Sequence, residues 1–194
     1  MKFGLGYCVY GMVALAVVLV GTTPSSADSI EDKVQVCTAC HGEAGKPTDK
    51  SIPVIWGQQT GYIYIQLRDF KRGDRKSDIM QPIASAFERD DMLAIADYFS
   101  KKPWPDLGQP RAPKDVAERA VKANASVGCT GCHLDRFQGD GTVPRLAGMG
   151  RDYLAKTIAD FRTRARANNP GMSDLMLATS PDDLAALVDY LAGL

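Results

Sequence analysis

The chain has 194 residues, and its 23 basic and 23 acidic side chains give a formal net charge of zero at pH 7. This balance lacks the excess of Lys and Arg that proteins use to bind nucleic-acid phosphates, so no nucleic-acid partner is expected. Beyond the N-terminal segment, no stretch of the sequence has the roughly 20 apolar residues needed to span a bilayer, and the mature chain is expected to be soluble.

The N-terminal segment has the pattern of a secretory signal peptide. Met1 and Lys2 form a short positive start, residues 3–21 are apolar, and small residues at Ser25 and Ala27 mark a cleavage site before Asp28. We therefore predict a signal peptide over 1–27 and a periplasmic location, with Cys8 leaving in the peptide. The apolar run exceeds the usual length of about 7–15 residues, so an uncleaved leader that tethers the protein to the membrane stays open.

Two copies of a Cys-x-x-Cys-His motif follow, in "VCTACHG" (36–42) and "GCTGCHL" (128–134). Such a motif suits a zinc site, a thioredoxin-like redox pair or a covalently attached haem c. The chain has two histidines, and each completes one of these motifs. A single zinc site would offer six ligands for four positions, and a redox pair has no need of the histidine. The motifs therefore predict two haem c groups, which also suits an exported protein.

In this interpretation, four cysteines form thioethers and the two histidines bind the irons. The thioether residues are Cys37, Cys40, Cys129 and Cys132. The iron ligands are His41 and His133.

The rest of the sequence is an internal repeat with an offset of 91–92 residues. For example, "RDDMLAIADYF" (89–99) matches "PDDLAALVDYL" (181–191). A segment that contains four of the eleven prolines separates the two halves, and it cannot be helical. We predict four regions: a signal peptide over 1–27, a first domain over 28–102, a Pro-rich linker over 103–113 and a second domain over 114–194.

The local patterns within each half are helical, and none predicts a strand. Ser29 and Asp32 form a capping-box pattern before the first motif, and a helix over about 114–128 precedes the second. A middle helix is predicted from Thr60, as its cap, to Gly73, and its counterpart over about 151–167. The last helix begins at Ser180. The fold class is therefore all-α, with three main helices wrapped around a haem in each half.

The second axial ligand of each iron has to be another residue type, since both histidines are used. Met80 and Met172 are 92 positions apart in the repeat, and a thioether suits low-spin iron and raises its reduction potential. Met92 and Met149 are interpreted as core residues. Met176 competes with Met172, because it lies near the same loop but out of register.

Two prolines and a set of cations complete the candidate sites. Pro53 and Pro144 follow the motifs at matching positions, where a prolyl carbonyl could accept a hydrogen bond from the axial histidine. Basic residues cluster near the end of both middle helices, where they could bind haem propionates or steer an acidic partner. The first cluster consists of Arg68, Lys71, Arg72, Arg75 and Lys76. The second consists of Arg162, Arg164 and Arg166.

The combination "CTACHG…IPVIWGQ…YIQLRDFKRGDR…MQPIA" and "CTGCH…VPRLAGM…YLAKTIADFR…NNPGM…LVDYLAGL" resembles the dihaem cytochromes c4 over the whole mature chain. The resemblance implies two tandem class I cytochrome c domains related by a pseudo-twofold axis, with haem propionates facing across the interface. The segment around Met172 departs from the family pattern, since it lacks the "IA" that follows Met80.

The resemblance also implies redox protein partners. The donor would be a dehydrogenase or quinol-oxidising complex, and the acceptor an oxidase. Two alternatives are a haem c subunit of a periplasmic oxidoreductase, for example with a flavoprotein that oxidises a sulfur compound or alcohol, and a dihaem peroxidase. A peroxidase needs an open iron and an acid or base beside it, which the chain does not offer. We therefore predict an electron carrier and not an enzyme.

Overall fold

The computed structural model describes residues 1–4 and 29–194, so most of the predicted signal peptide, its cleavage site and Cys8 lie outside the described residues. Within the described part, the chain forms nine helices and no strand, apart from one isolated bridge between Asp140 and Val143. None of the helices in this part has the length and apolar character needed to cross a membrane.

The first half contains four helices and the second half five, in matching order. Those of the first half are α1 (Ile30–His41), α2 (Thr60–Arg72), α3 (Met80–Ser85) and α4 (Arg89–Ser100). Those of the second half are α5 (Lys114–Val127), α6 (Thr130–His133), α7 (Arg151–Arg162), α8 (Pro170–Ala178) and α9 (Pro181–Ala192).

Capping residues set several of these boundaries as predicted. The capping box of Ser29 and Asp32 opens α1, and the Ser180 hydroxyl accepts from the backbone N–H of Asp183 at the start of α9. Gly73 ends α2 in the left-handed conformation. The prediction for Thr60 was wrong by one position, because it is the first helical residue.

Two predicted stretches differ from the structure. The middle helix of the second half ends at Arg162 rather than near residue 167, because Arg164 turns to a φ of 59° and its N–H bonds back to Phe161. The segments around Met80 and Met172 are short helices and not loops. In addition, the helix before the second motif breaks at Gly128, whereas α1 runs unbroken through the first motif.

Each half has its own hydrophobic core. In the first half, side chains of α1, α2 and α4 such as Val34, Leu67 and Phe99 pack together. In the second half, α5 packs on α9, and the apolar side chains of α9, such as Leu184 and Leu187, are buried. A second cluster in this half includes Val54, so the first half contributes to the core of the second.

The Pro-rich segment between the halves is docked rather than free. Trp104 and Leu107 pack against the core of the second half, and the Gln109 amide donates to the carbonyl oxygens of Met149 and Ala192. Trp104 also touches Gly148, where an added Cβ would lie 3.1 Å from its indole nitrogen. The sequence predicted a Pro-rich linker that cannot be helical, and these tertiary contacts hold that linker against the second half.

Polar contacts also join the halves directly. The Gln58 side chain is 2% exposed, and its amide accepts from the Arg145 N–H at 2.7 Å and donates to the Arg145 carbonyl at 3.0 Å. The Tyr62 N–H donates to the Gly141 carbonyl at 3.1 Å. Because the buried Gln58 amide would otherwise lack partners, these contacts favour one relative arrangement of the halves.

The chain turns tightly at Gly42, the glycine that follows the first motif. Gly42 has a φ of 87°, and an added Cβ would lie 1.9 Å from the Lys46 carbonyl oxygen. Gly128 has a φ of 78° but open space around its Cα. We expect Gly128→Ala to lower the free energy of unfolding by about 1–2 kcal/mol, which is the cost of a left-handed residue. Gly42→Ala should cost clearly more, because the clash adds to this strain.

Urea unfolding of the two holoprotein variants, followed by circular dichroism, measures the difference. Equal losses of stability would contradict the tight turn at Gly42.

Candidate functional site

The first motif lies in the last turns of α1, with Cys37 facing inward and Cys40 exposed. Neither cysteine forms a disulfide. Burial raises the pKa of the Cys37 thiol to about 11. The spacing places both sulfurs and the His41 ring at one end of the helix.

The second motif has the same arrangement on a different backbone. Cys129 precedes the short helix α6 and is half-buried, Cys132 is exposed, and neither forms a disulfide. Burial raises the pKa of the Cys129 thiol, as it does for the equivalent Cys37. Each half therefore has one inner thiol, one outer thiol and one buried imidazole, which is the donor set that haem c attachment requires.

Both imidazoles are held by the prolines that the sequence singled out. His41 Nδ1 lies 2.8 Å from the carbonyl oxygen of Pro53, and His133 Nδ1 lies 2.9 Å from that of Pro144. A carbonyl can only accept, so Nδ1 carries the proton and Nε2 keeps its lone pair. Burial lowers the pKa of both histidines, which favours the neutral ring that a metal binds.

The two methionines predicted as ligands occupy matching places. Met80 is the first residue of α3 and packs against the core of the first half, and Met172 lies in the first turn of α8 against the core of the second. The backbone N–H of Met80 donates to Ser77 Oγ and that of Met172 to Asn169 Oδ1, at 3.1 Å in both cases. Each methionine is thus held through its own amide by a side chain three residues earlier.

Met176, the competing candidate, has a different environment. It is 5% exposed and belongs to the core cluster of the second half, whereas Met172 is only partly buried at the edge of that cluster. Met92 and Met149 are also buried core residues, as interpreted from the sequence.

A reciprocal pair of Arg–Tyr contacts crosses the interface between the halves. Arg75 Nη2 donates to the Tyr153 hydroxyl at 3.1 Å, and Arg166 Nη2 donates to the Tyr62 hydroxyl at 3.2 Å. Arg75 and Arg166 are equivalent in the repeat, as are Tyr62 and Tyr153. Exchanged contacts between equivalent residues are typical of a twofold arrangement. Gln66 lies between the two guanidinium groups and accepts from both, at 2.8 and 2.9 Å.

This interface carries an excess of positive charge. Among the described residues, no carboxylate lies within 4.0 Å of the Arg75 or Arg166 guanidinium, because nearby Asp69 is occupied by Arg68 and by Asn168. Although burial by itself raises the pKa of the Tyr153 phenol, the charges of Arg75 and Arg166 lower that pKa to about 7. Such a cluster favours a bound anion, and haem propionates are carboxylates of the kind that guanidinium groups bind.

The sequence predicted that some of the clustered cations would meet propionates but could not choose among them. In the structure, Arg166 is 6% exposed, Arg75 is partly buried and both contact tyrosines across the interface, whereas Arg72 and Lys76 lie on the surface. The roles of Tyr62, Gln66 and Tyr153 were not recognised from the sequence. The repeat alone pairs the two tyrosines, and this is the signal that could have indicated them.

Comparisons with known proteins identify the family of this chain. A model of the Cytochrome c family matches residues 117–194. The cytochrome c4 of Azotobacter vinelandii is 32% identical over 182 residues, which cover 84% of this chain and 87% of that protein. A thiosulfate dehydrogenase electron acceptor from Stutzerimonas stutzeri strain A1501 is 33% identical over 167 residues, covering 80% of this chain and 77% of that protein.

A comparison with a solved structure shows that the similarity includes the three-dimensional fold. The crystal structure of reduced recombinant cytochrome c4 from Pseudomonas stutzeri superposes with a TM-score of 0.75 and 30% identity, and the match covers 87% of this chain and 100% of that chain. This confirms the predicted fold class, which is all-α with two tandem class I cytochrome c domains. The chain therefore belongs to the cytochrome c4 family, whose members are dihaem c-type electron carriers and not enzymes.

Proposed function

We propose that each domain holds its haem through the residues that the repeat places in equivalent positions. In the first domain these are the thioether residues Cys37 and Cys40 with the iron ligands His41 and Met80. In the second domain they are Cys129 and Cys132 with His133 and Met172. Pro53 and Pro144 orient the imidazoles, and Arg75 and Arg166 face the propionates. When bound, each haem supplies a one-electron couple, Fe(III)/Fe(II), and the chain supplies ligands, charge and burial.

The observation that carries this proposal is the hydrogen bond from each histidine Nδ1 to a prolyl carbonyl. It leaves Nε2 of both rings unprotonated and free to bind iron. The burial of Met176 in the core supports Met172 as the second ligand in the second domain.

We further propose that the protein works in the periplasm after removal of 1–27. There it would take electrons from a dehydrogenase or a quinol-oxidising complex and pass them to an acceptor such as a terminal oxidase. The domain boundaries proposed for this carrier are 28–102 and 114–194, joined by 103–113. The absence of any helix between Ser100 and Lys114 supports this division.

A subunit or dedicated acceptor role is the second candidate, and one finding favours it. The relative from Stutzerimonas stutzeri is named as the electron acceptor of a thiosulfate dehydrogenase, and it is as similar to this chain as the cytochromes c4 are. The same dihaem architecture could thus accept electrons from an enzyme that oxidises a sulfur compound.

The ligand assignment predicts the effect of three methionine substitutions. Met80→Ala and Met172→Ala should each remove about half of the sulfur-to-iron charge-transfer band of the ferric protein and lower one of its two reduction potentials, because a thioether stabilises Fe(II). Met176→Leu, a substitution of similar volume in the core, should keep the band and cost less than about 1.5 kcal/mol of stability.

Spectra, redox titration and the mass of the holoprotein test this assignment. The mass should exceed that of the polypeptide by two haems. A full band in Met172→Ala, or its loss in Met176→Leu, would show that the second ligand is wrongly assigned.

The two candidate roles predict different electron donors. If the protein is a dedicated acceptor, a purified thiosulfate dehydrogenase with thiosulfate should reduce both haems within a catalytic turnover, and the two proteins should elute together in size-exclusion chromatography. A general carrier should instead be reduced by a quinol-oxidising complex and elute alone. Stopped-flow absorbance of the reduced haem bands measures both rates, and heat-inactivated enzyme serves as the control.

The charge of the interdomain cluster should affect the haems. A positive charge near an iron disfavours its ferric form, so Arg75→Gln and Arg166→Gln are expected to lower the reduction potentials. Arg72→Gln removes a charge three residues before Arg75, at the exposed end of α2, and should change the potentials much less. Equal shifts in Arg72→Gln and Arg75→Gln would argue against propionates at the cluster.

A further inference from the structure

Two cations at equivalent positions of the repeat bind the far ends of the methionine-bearing helices. Lys71 and Arg162 lie 91 positions apart, each in the last turn of the middle helix of its domain. Lys71 Nζ donates to the carbonyl oxygen of Phe87 at 2.7 Å. Arg162 Nη1 donates to the carbonyl oxygens of Met176 and Thr179, at 2.6 Å in both cases.

These carbonyl groups lie at or just beyond the C-terminal ends of α3 and α8. The last carbonyls of a helix have no partner within it and carry partial negative charge, so a cation both satisfies and stabilises them. Thr179 is the C-cap of α8, whereas Phe87 follows α3 by two residues and directly precedes Glu88, the N-cap of α4. Arg162 therefore ties the end of α8 to α7, and Lys71 ties the segment between α3 and α4 to α2.

The opposite end of each short helix carries the methionine. There, Ser77 and Asn169 accept from the backbone N–H of Met80 and Met172. α3 has six residues and α8 has nine, and helices of this length are not stable in isolation. Their position relative to the histidine therefore depends on the contacts at both ends.

We propose that Lys71 and Arg162 are positioning residues for the two thioether ligands, and that each keeps its methionine on the iron by anchoring the helix that carries it. This inference rests on the proposed ligation by Met80 and Met172. It gives these two cations a role different from the two considered for their clusters, which were propionate binding and attraction of an acidic partner.

The two anchors differ in strength. Arg162 makes two short hydrogen bonds to carbonyls and a longer one of 3.4 Å to Leu177. Lys71 makes one to a carbonyl, and its second partner is the Glu88 carboxylate, whose side chain is 85% exposed. The planar guanidinium also loses less side-chain entropy per hydrogen bond than the flexible ammonium of lysine does. We therefore infer that the Met172 bond opens less often than the Met80 bond.

Cyanide binding to the ferric holoprotein tests this inference, because cyanide can bind only after the thioether leaves the iron. Arg162 variants are measured in the Met80→Ala background. There the first iron is open and binds cyanide rapidly, so the slow phase of cyanide binding reports the second iron. Lys71 variants are measured in the Met172→Ala background. The matched controls are Lys156→Gln on α7 and Arg72→Gln on α2, which remove an exposed charge from the same helices.

Arg162→Gln should accelerate the slow phase by about tenfold to a hundredfold, which is the factor expected for losing hydrogen bonds from a charged donor. The slow-phase rate of Arg162→Lys should lie between that of Arg162→Gln and that of the protein with Arg162 unchanged. Lys71→Gln should give a smaller acceleration at the first iron, and Lys71→Arg should slow the exchange there. If a double variant does not incorporate haem, the same rates are read from the hyperfine-shifted haem methyl signals of the single variant.

Two failures are distinguishable. A slow phase that persists when both Met80 and Met172 are Ala would show that another residue binds the iron, and the proposed ligation would fail. A rate for Arg162→Gln equal to that for Lys156→Gln, with the dependence on Met172 intact, would overturn the positioning role alone.

Discussion

The hydrogen bond between an imidazole Nδ1 and a prolyl carbonyl is the contact on which both sites depend. A ring held in this way presents one nitrogen, Nε2, with a free lone pair in a fixed direction. Proline suits the role because it contributes an acceptor and brings no backbone N–H that would need its own partner. The same hydrogen bond forms between His41 and Pro53 and between His133 and Pro144. It forms in both halves although α1 is continuous and the second motif follows a helix break at Gly128.

In the proposed ligation, the remaining features supply a second ligand for each iron and a surface that binds the propionates. Short helices carry the methionines, and side chains of neighbouring segments hold both of their ends. The interface contributes buried arginines without carboxylates, so it is more complete with an anionic cofactor than without one. Domains of this size have small hydrophobic cores, and a buried haem in each would add apolar contact and satisfy these charges together.

At the interface between the domains, several equivalent positions of the repeat carry different residues. Gln58 binds the backbone of Arg145, whereas its counterpart Met149 is a buried apolar residue of the second core. Trp56 likewise has Ala147 opposite it, and it packs against both cores. Such differences give each domain a distinct face toward the other, so that the pair can dock in one orientation. The linker adds to this through Trp104 and Gln109.

The spacing of Cys, His, Met and Pro along the chain was sufficient to predict the fold class, the cofactor and the repeat, because covalent attachment and helical periodicity are local requirements. The end of α7 was predicted wrongly, because local propensity allows the helix to continue, whereas the positive φ of Arg164 stops it. What distinguishes Arg75 and Arg166 among eight clustered cations is their contacts across the interface, which the sequence does not record. Burial and charge pairing arise from residues about 80–100 positions apart, as in the contact of Arg166 with Tyr62, and no local pattern records them.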